Sequence, residues 1–207
     1  MKKLILVGGG GHCKSVIDTL RRMQQYDEII IVDAAYPDCR NVLDVKVAGD
    51  DAALPELKKA GFAEAFVAVG SVKSTAVRRS LFLQLKEYGF TLPAIVDPLA
   101  CVSPYAKLAE GVFVAKRAVV NADAKIGRMA IINTGAIVEH DCVVGDFAHV
   151  AVGAVLCGGV SVGSDVLIGA GATVIQGIGV GDGAVVGAGS TVVRSVSARQ
   201  NVKGLVK

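Results

Sequence analysis

A chain of 207 residues, 52% of them hydrophobic, can bury a sizeable core and folds as one domain or two small ones. No uninterrupted apolar stretch reaches the ~18 residues of a membrane span, no apolar run near residue 1 leads to a small-residue cleavage site, and the net charge of +3 forms no basic stripe with interleaved aromatics. A membrane span, a secretory leader and a nucleic-acid partner are therefore not expected, and the expected location is the cytoplasm. Cys13, Cys39, Cys101, Cys142 and Cys157 show neither C-x-x-C spacing nor a histidine at zinc-ligand distance, and their odd number argues against a disulfide framework. They are expected to be reduced, mostly buried small fillers.

The first ninety residues alternate between two patterns. An apolar strand (4–7) runs into the glycines Gly8 to Gly11, then a helix over about 14–24, then a second strand (29–32) closed by Asp33. A third strand (65–69) passes through Gly70 and Ser71 into a helix over about 74–88, where apolar and basic positions recur at helical spacing. Strand, helix and strand with short links imply a parallel sheet, whose ligands bind beyond the carboxyl ends of the strands. The glycine run, Asp33 and Gly70 converge on that edge. Glycines before a helix N-terminus suit an anion such as a pyrophosphate. In the register of a dinucleotide fingerprint, however, Cys13 or Lys14 stands where the third glycine belongs. The run therefore reads equally as a tight structural turn, and His12 either contacts a ligand or caps the loop.

From Val102 every sixth residue is aliphatic: Val102, Leu108, Val114, Val120, Ile126, Ile132, Val138, Val144, Val150, Leu156, Val162, Ile168, Val174, Val180, Val186 and Val192. Four residues after each stands a second series, mostly small, including Ala106, Ala124, Ala136, Cys142, Ala154 and Ala184. Neither a helix nor a flat strand requires a period of six, whereas a parallel β-solenoid of short straight faces joined at corners does. Three hexads close a triangular coil of eighteen residues, about five coils stack, and no insertion interrupts them. His140, two residues after inward Val138, falls at a corner outside the aliphatic interior, and eighteen residues on it is stacked against Gly158, about 4.8 Å away. A base beside a bare backbone N–H is what acyl transfer requires. Asp141 or Glu139 holds the imidazole tautomer. Val152, Ala170 and Ala188 form another corner column, small enough for a thin chain to lie against its amides. His149, just ahead of Val150, faces another edge.

The stretch 132–175, "INTGAIVEHDCVVGDFAHVAVGAVLCGGVSVGSDVLIGAGATVI", resembles the nucleotide-sugar N-acetyltransferases of the bacterial pilin-glycosylation and sialic-acid O-acetyltransferase type. The likeness extends to "ILVGGGGHCKSVID", "VAVGSVKSTAVRR" and "VDPLACVSP", and so to nearly the whole chain. It implies a Rossmann-like parallel α/β domain over 1–92 that binds a nucleotide sugar, followed over 93–207 by a left-handed parallel β-helix, a hexapeptide-repeat solenoid, that binds acetyl-CoA and carries the chemistry. By the same resemblance His140 is the general base, Asp141 the acidic residue that raises its basicity and Gly158 the oxyanion donor. His149, Ala170 and Ala188 meet the acetyl-CoA co-substrate, and Gly10, Gly11, His12, Asp33, Gly70 and Asn133 hold the acceptor, a nucleotide-linked amino sugar. The family's members are homotrimers with sites between subunits, and no metal is implied.

Two departures are visible. The chain ends "NVKGLVK" without the family's Pro-Ala, and Ala34 follows Asp33 where a second acid is frequent. The basic residues Arg194, Arg199, Lys203 and Lys207 either neutralise CoA phosphates or are simply solvated. Two other readings stand beside the N-acetyltransferase. One is a sugar O-acetyltransferase of the sialic-acid type. The other is a scaffold or carbonic-anhydrase-like shell, whose zinc would need three histidines where the solenoid has only His140 and His149.

Overall fold

The computed structural model describes all residues except 36–40 and 72–73, so Cys39 lies outside the described residues. Chain contacts divide it into two compact units, Met1–Pro93 and Ala94–Lys207.

In the first unit β1 (Lys3–Val7) lies between β2 (Glu28–Val32) and a third strand, Glu64–Val67, all parallel. Leu4, Ile5 and Leu6 are completely buried, the continuous apolar run expected of a strand covered on both faces. The helix α1 (Gly11–Met23) buries Cys13, Val16, Ile17 and Leu20, one face at helical spacing. It starts three residues before the expected position. Gly10 is its N-cap and provides no side-chain cap, so Gly11 forms the first helical residue and the amides of Gly10 and Gly11 are left open. Gly8 has φ +101, and a Cβ there would meet Val69 Cγ2 at 2.5 Å, which excludes any other residue from that turn. A short helix, Leu54–Lys59, precedes the third strand, and a longer one, Ala76–Glu87, follows it.

The second unit is a parallel β-solenoid with three faces. Two faces have seven two-residue strands each, and the third has five together with a bridge from Val180 to Val196. Every aliphatic of the six-residue series pairs with the one eighteen residues away, as Val120 does with Val138 and Val138 with Leu156. Val114, Val138, Val150, Leu156 and Val186 are wholly buried, interleaved with Ala118, Ala136, Ala154 and Ala184. The winding continues past both ends of the repeat, so the solenoid has about one coil more than the expected five. Ile95–Val96 begins it, and Asn201–Val202 and Leu205–Val206 end it. The last coil is shorter than eighteen residues: Val196 bridges to Val180, Val202 pairs with Val186 and Val206 with Val192. The proline-free tail therefore closes the column.

Stacking also aligns charge. At one corner Asp146 receives the Arg128 guanidinium, with Nε at 2.9 Å and Nη2 at 2.6 Å, and accepts the Arg128 backbone N–H at 2.8 Å. Both guanidinium bonds fall on Oδ2 while Oδ1 takes the backbone N–H, which ties the adjacent coils together at the surface. Among the cysteines, Cys13 and Cys142 are buried and Cys157 is half-buried. Cys101 departs from the expected burial, because its strand position points outward on a terminal coil.

Truncation inside the column removes contacts that cannot be regained, since neighbouring coils are tied by backbone ladders. Leu156→Ala should lower unfolding free energy by about 2–5 kcal/mol in chemical denaturation, whereas Val143→Ala, on the exposed side of its strand, should change it by less than about 0.5 kcal/mol.

Candidate active site

The corner between strands Ile137–Val138 and Val143–Val144 is built by its own alternation. Val138 and Cys142 point inward and are completely buried, so Glu139, His140 and Asp141 must lie on the outer side. Asp141 adopts a left-handed backbone, φ 61, a conformation that Asp tolerates better than most residues. That turn brings its carboxylate back to the preceding ring, with Oδ2 2.8 Å from His140 Nδ1. The imidazole side chain remains 63% exposed. A carboxylate at Nδ1 selects the tautomer with the proton there and leaves Nε2 as the free acceptor. The hydrogen bond that His140 Nδ1 donates to Asp141 holds the imidazole pKa above its ordinary value; desolvation opposes it, and the charges of Asp141 and Glu139 make smaller contributions in the same upward direction.

Glu139 is otherwise engaged. Its Oε2 accepts from Asn121 Nδ2 of the coil below at 2.9 Å and from the His140 backbone N–H at 3.3 Å. Between the two acids that the sequence left open, Asp141 is therefore the one on the ring. Asn121 was not singled out from sequence, although it stands eighteen residues before Glu139 and the coil period leads to it.

His140 lies against Gly158 as the coil arithmetic requires. A Cβ built on Gly158 would meet His140 Cε1 and Nε2 at 2.7 Å, so only glycine lets the ring sit there. The ladder at this corner runs through the second turn residue of each coil: Asp141 N–H to the Ala122 carbonyl, Gly159 N–H to that of His140, and Gly177 N–H to that of Gly158. The first turn residue is left over, and among the described residues no group accepts from the Gly158 N–H. Beside Asp141 a groove of about 310 Å³ opens, lined by Tyr105, Lys107, Asp123, Lys125 and Val143.

The other expected residues fall elsewhere. His149 does not face an edge. It occupies the outward strand position of His149–Val150, in register with Ile131 and Leu167 on a flat face, and is 7% exposed because those flanking side chains enclose it. Its Nε2 is 3.1 Å from Asn133 Nδ2, so these two form a pair of their own, on a different face from His140 within one chain. Ala170 and Ala188 stack with Val152 on a third line, through Gly171 N–H to the Val152 carbonyl and Gly189 N–H to that of Ala170.

In the first unit Gly10, Gly11, His12, Asp33 and Gly70 do come together, around a cavity of about 400 Å³ that Gly8, Gly9, Ala68 and Val69 complete. Asp33 has a structural task there. Its Oδ2 accepts from Gly9 N–H at 2.5 Å and its Oδ1 from Ala35 N–H at 2.8 Å, which fixes the glycine loop at the end of β2. Burial, followed by the charge of Asp33, pushes the Cys13 thiol up to about 12, so it is no nucleophile. Among the described residues no group of three or more His, Cys, Asp or Glu side chains is arranged to hold a metal, and no helix is long and apolar enough to cross a membrane.

Comparison with known proteins completes the assignment of class. Residues 3–85 match the family model of the PglD N-terminal domain, and residues 159–194 that of the hexapeptide repeat of succinyl-transferase. Solved acetyltransferases that match nearly the whole chain place it in the class of hexapeptide-repeat acyltransferases. A His-to-Ala variant of GDP-perosamine N-acetyltransferase from Caulobacter crescentus, solved with CoA and GDP-perosamine, is 42% identical over 99% of this chain and 94% of its own, with a TM-score of 0.93. The acetyltransferase domain of PglB from Neisseria gonorrhoeae FA1090, solved with acetyl coenzyme A, is 34% identical over 98% of this chain and 96% of its own, with a TM-score of 0.92. PerB from Caulobacter crescentus with the same two ligands is 38% identical over 99% and 95%, with a TM-score of 0.81. A comparison with curated proteins gives no match. The chain belongs to the hexapeptide-repeat nucleotide-sugar acetyltransferases.

The carboxylate on Nδ1 gives a direct test of the corner's electrostatics. In Asp141→Asn the imidazole of His140 should titrate at lower pH than in the unaltered protein, approaching the ordinary histidine value, as followed by NMR of the ring. An unchanged titration would mean that the 2.8 Å contact does not set the basicity.

Proposed function

We propose that the protein transfers the acetyl group of acetyl-CoA to the amino group of a nucleotide-linked amino sugar, such as a nucleoside-diphosphate 4-amino-4,6-dideoxyhexose, with His140 as general base. The observation that carries this reading is the exposed His140 ring, fixed by Asp141 on one side and set against the unengaged Gly158 N–H on the other. His140 Nε2 takes a proton from the attacking amine as the C–N bond forms. The Gly158 N–H steadies the negative charge that gathers on the thioester oxygen. The imidazolium then returns its proton to the departing CoA sulfur, so the cycle closes without a covalent acyl-enzyme. No cysteine attacks: among the described cysteines Cys13 and Cys142 are buried, and neither Cys101 nor Cys157 adjoins the ring through any hydrogen bond.

The open amides of Gly10 and Gly11, at the start of α1, suit the diphosphate of the nucleotide sugar, with His12, Asp33 and Gly70 around it. Asn133 is assigned to the acceptor and His149 to the co-substrate, with the backbone at Ala170 and Ala188 along its pantetheine. Because Asn133 and His149 lie on another face of the solenoid than His140, the two sets meet only if a neighbouring chain supplies one of them. A homotrimer with sites between subunits satisfies that requirement. The chemistry needs a cytoplasmic pool of acetyl-CoA, which fits an enzyme acting before a glycan is exported.

Acetyl-CoA consumption should appear with at least one member of a panel of UDP- and GDP-linked 4-amino sugars, and His140→Ala should reduce kcat on that substrate by roughly 10²-fold or more with little change in nucleotide-sugar affinity. Turnover of that variant near the unaltered rate, or acetylation of sugar hydroxyls in preference to amines, would refute the assignment.

A further inference from the structure

Among the small inward residues of the solenoid, Cys142 differs from the alanines two coils in succession below it, Ala124 and Ala106, by carrying a hydrogen-bond donor. Its Sγ lies 3.2 Å from the Cys157 carbonyl oxygen. That carbonyl belongs to the same peptide group as the Gly158 N–H. The peptide is trans, since the described chain contains no cis bond, so its C=O and N–H point in opposite directions. Cys142 is completely buried, so the carbonyl that reaches its thiol is turned toward the column interior and the Gly158 N–H is turned outward, on the side of His140. The other donor to the same oxygen is the Val160 backbone N–H, at a long 3.3 Å, the ordinary bond of this turn. Corresponding corners have only that bond, as at Ala154 N–H to the Ala151 carbonyl and Ala148 N–H to that of Gly145. Burial raises the Cys142 pKa; the Val160 backbone N–H opposes it, the Glu139 charge adds to it and the Gly159 and Glu139 backbone N–H groups oppose it, with a net upward shift, so the thiol keeps its proton and remains a donor.

We propose that Cys142 is a positioning residue for acyl transfer, its thiol holding and polarising the Cys157–Gly158 peptide so that the Gly158 N–H is aimed at, and donates more strongly to, the oxygen that becomes negative. The inference rests on the oxyanion role of Gly158 proposed above. A hydrogen bond received at a carbonyl draws electron density from the amide nitrogen and makes its N–H a better donor, by about 10–30% per bond in a chain. An oxyanion donor is itself worth about 10²–10³-fold in kcat, so the thiol's share is roughly two- to eightfold. Because the charge exists only in the transition state, the effect falls on kcat and spares both KM values.

The test uses the full-length enzyme and two variants. Cys142→Ala places at this position the residue that neighbouring coils already accept, and Cys142→Ser restores a donor of similar size. Cys142→Ala should lower kcat by roughly two- to eightfold with both KM values unchanged, and Cys142→Ser should recover most of it. In the ligand-free protein the amide proton of Gly158 should move upfield in Cys142→Ala and return in Cys142→Ser, while the remaining solenoid amides stay in place. If the Gly158 amide does not move, or if both variants lose kcat equally, the inference is overturned. If the amide moves and kcat does not, the oxyanion role of Gly158 falls, and the catalytic part of the inference falls with it.

Discussion

Everything in the second unit depends on one steric constraint: an aliphatic side chain must point inward at every sixth residue, because three such positions fill one triangular layer and the next layer must fit on top. Backbone ladders between coils then convert eighteen residues of sequence into one step of about 4.8 Å in space. Residues that are distant in sequence become nearest neighbours in a fixed order, and the order repeats at every corner. A single corner can therefore be altered without disturbing the column, since each coil contacts only its neighbours.

The corner at Glu139 to Cys142 uses that freedom. Val138 and Cys142 anchor it from inside, and the three residues between them are charged or ionisable in a way that would be intolerable one position earlier. Outside the column the same groups cost little. Asp141 sits in a left-handed backbone conformation that most other corners give to glycine, and in return its carboxylate reaches the ring beside it. Glu139 is tied down by Asn121, so the acid that remains near the imidazole on the other side is prevented from competing for it. Gly158 provides the space and the N–H. The orientation of the ring, its raised basicity and the N–H proposed as oxyanion donor thus come from consecutive or stacked residues of one strand-turn-strand and the turn above it.

Much of this was legible in the sequence because the determinant is periodic. The residues of the six-step aliphatic series from Val102 to Val192 all lie on the inward ladders, and adding eighteen to His140 gave Gly158 without any coordinates. The parts that were not legible depend on choices the period does not make. Asp141 and Glu139 flank His140 equally in sequence, and only the backbone angle at residue 141 and the prior engagement of Glu139 decide between them. His149 occupies an outward strand position, where exposure depends on the bulk of Ile131 and Leu167 beside it and not on its own register. The direction of the Cys157 carbonyl has no sequence signal, so the thiol of Cys142 looked like a filler. In the first unit the start of α1 was placed late because Gly10 supplies no Ser, Thr, Asp or Asn cap to mark it. At the end of the chain Val196, sixteen residues after Val180, takes the inward place in which the repeat has Ala198, so the last coil is shorter than the period of eighteen.

In the mechanism proposed above, the neutral imidazole of His140 takes the proton. Its proton is held more tightly than in an ordinary histidine, so the unprotonated form prevails only above that raised value and is lost as pH falls through it. The most direct measurement is kcat/KM against pH set beside the NMR titration of the same ring in the free enzyme. The rate should fall on the acid side with a midpoint above the ordinary histidine value and coincident with the His140 titration. A rate that stays level while His140 becomes protonated, or an acid limb that follows some other group, would contradict the account.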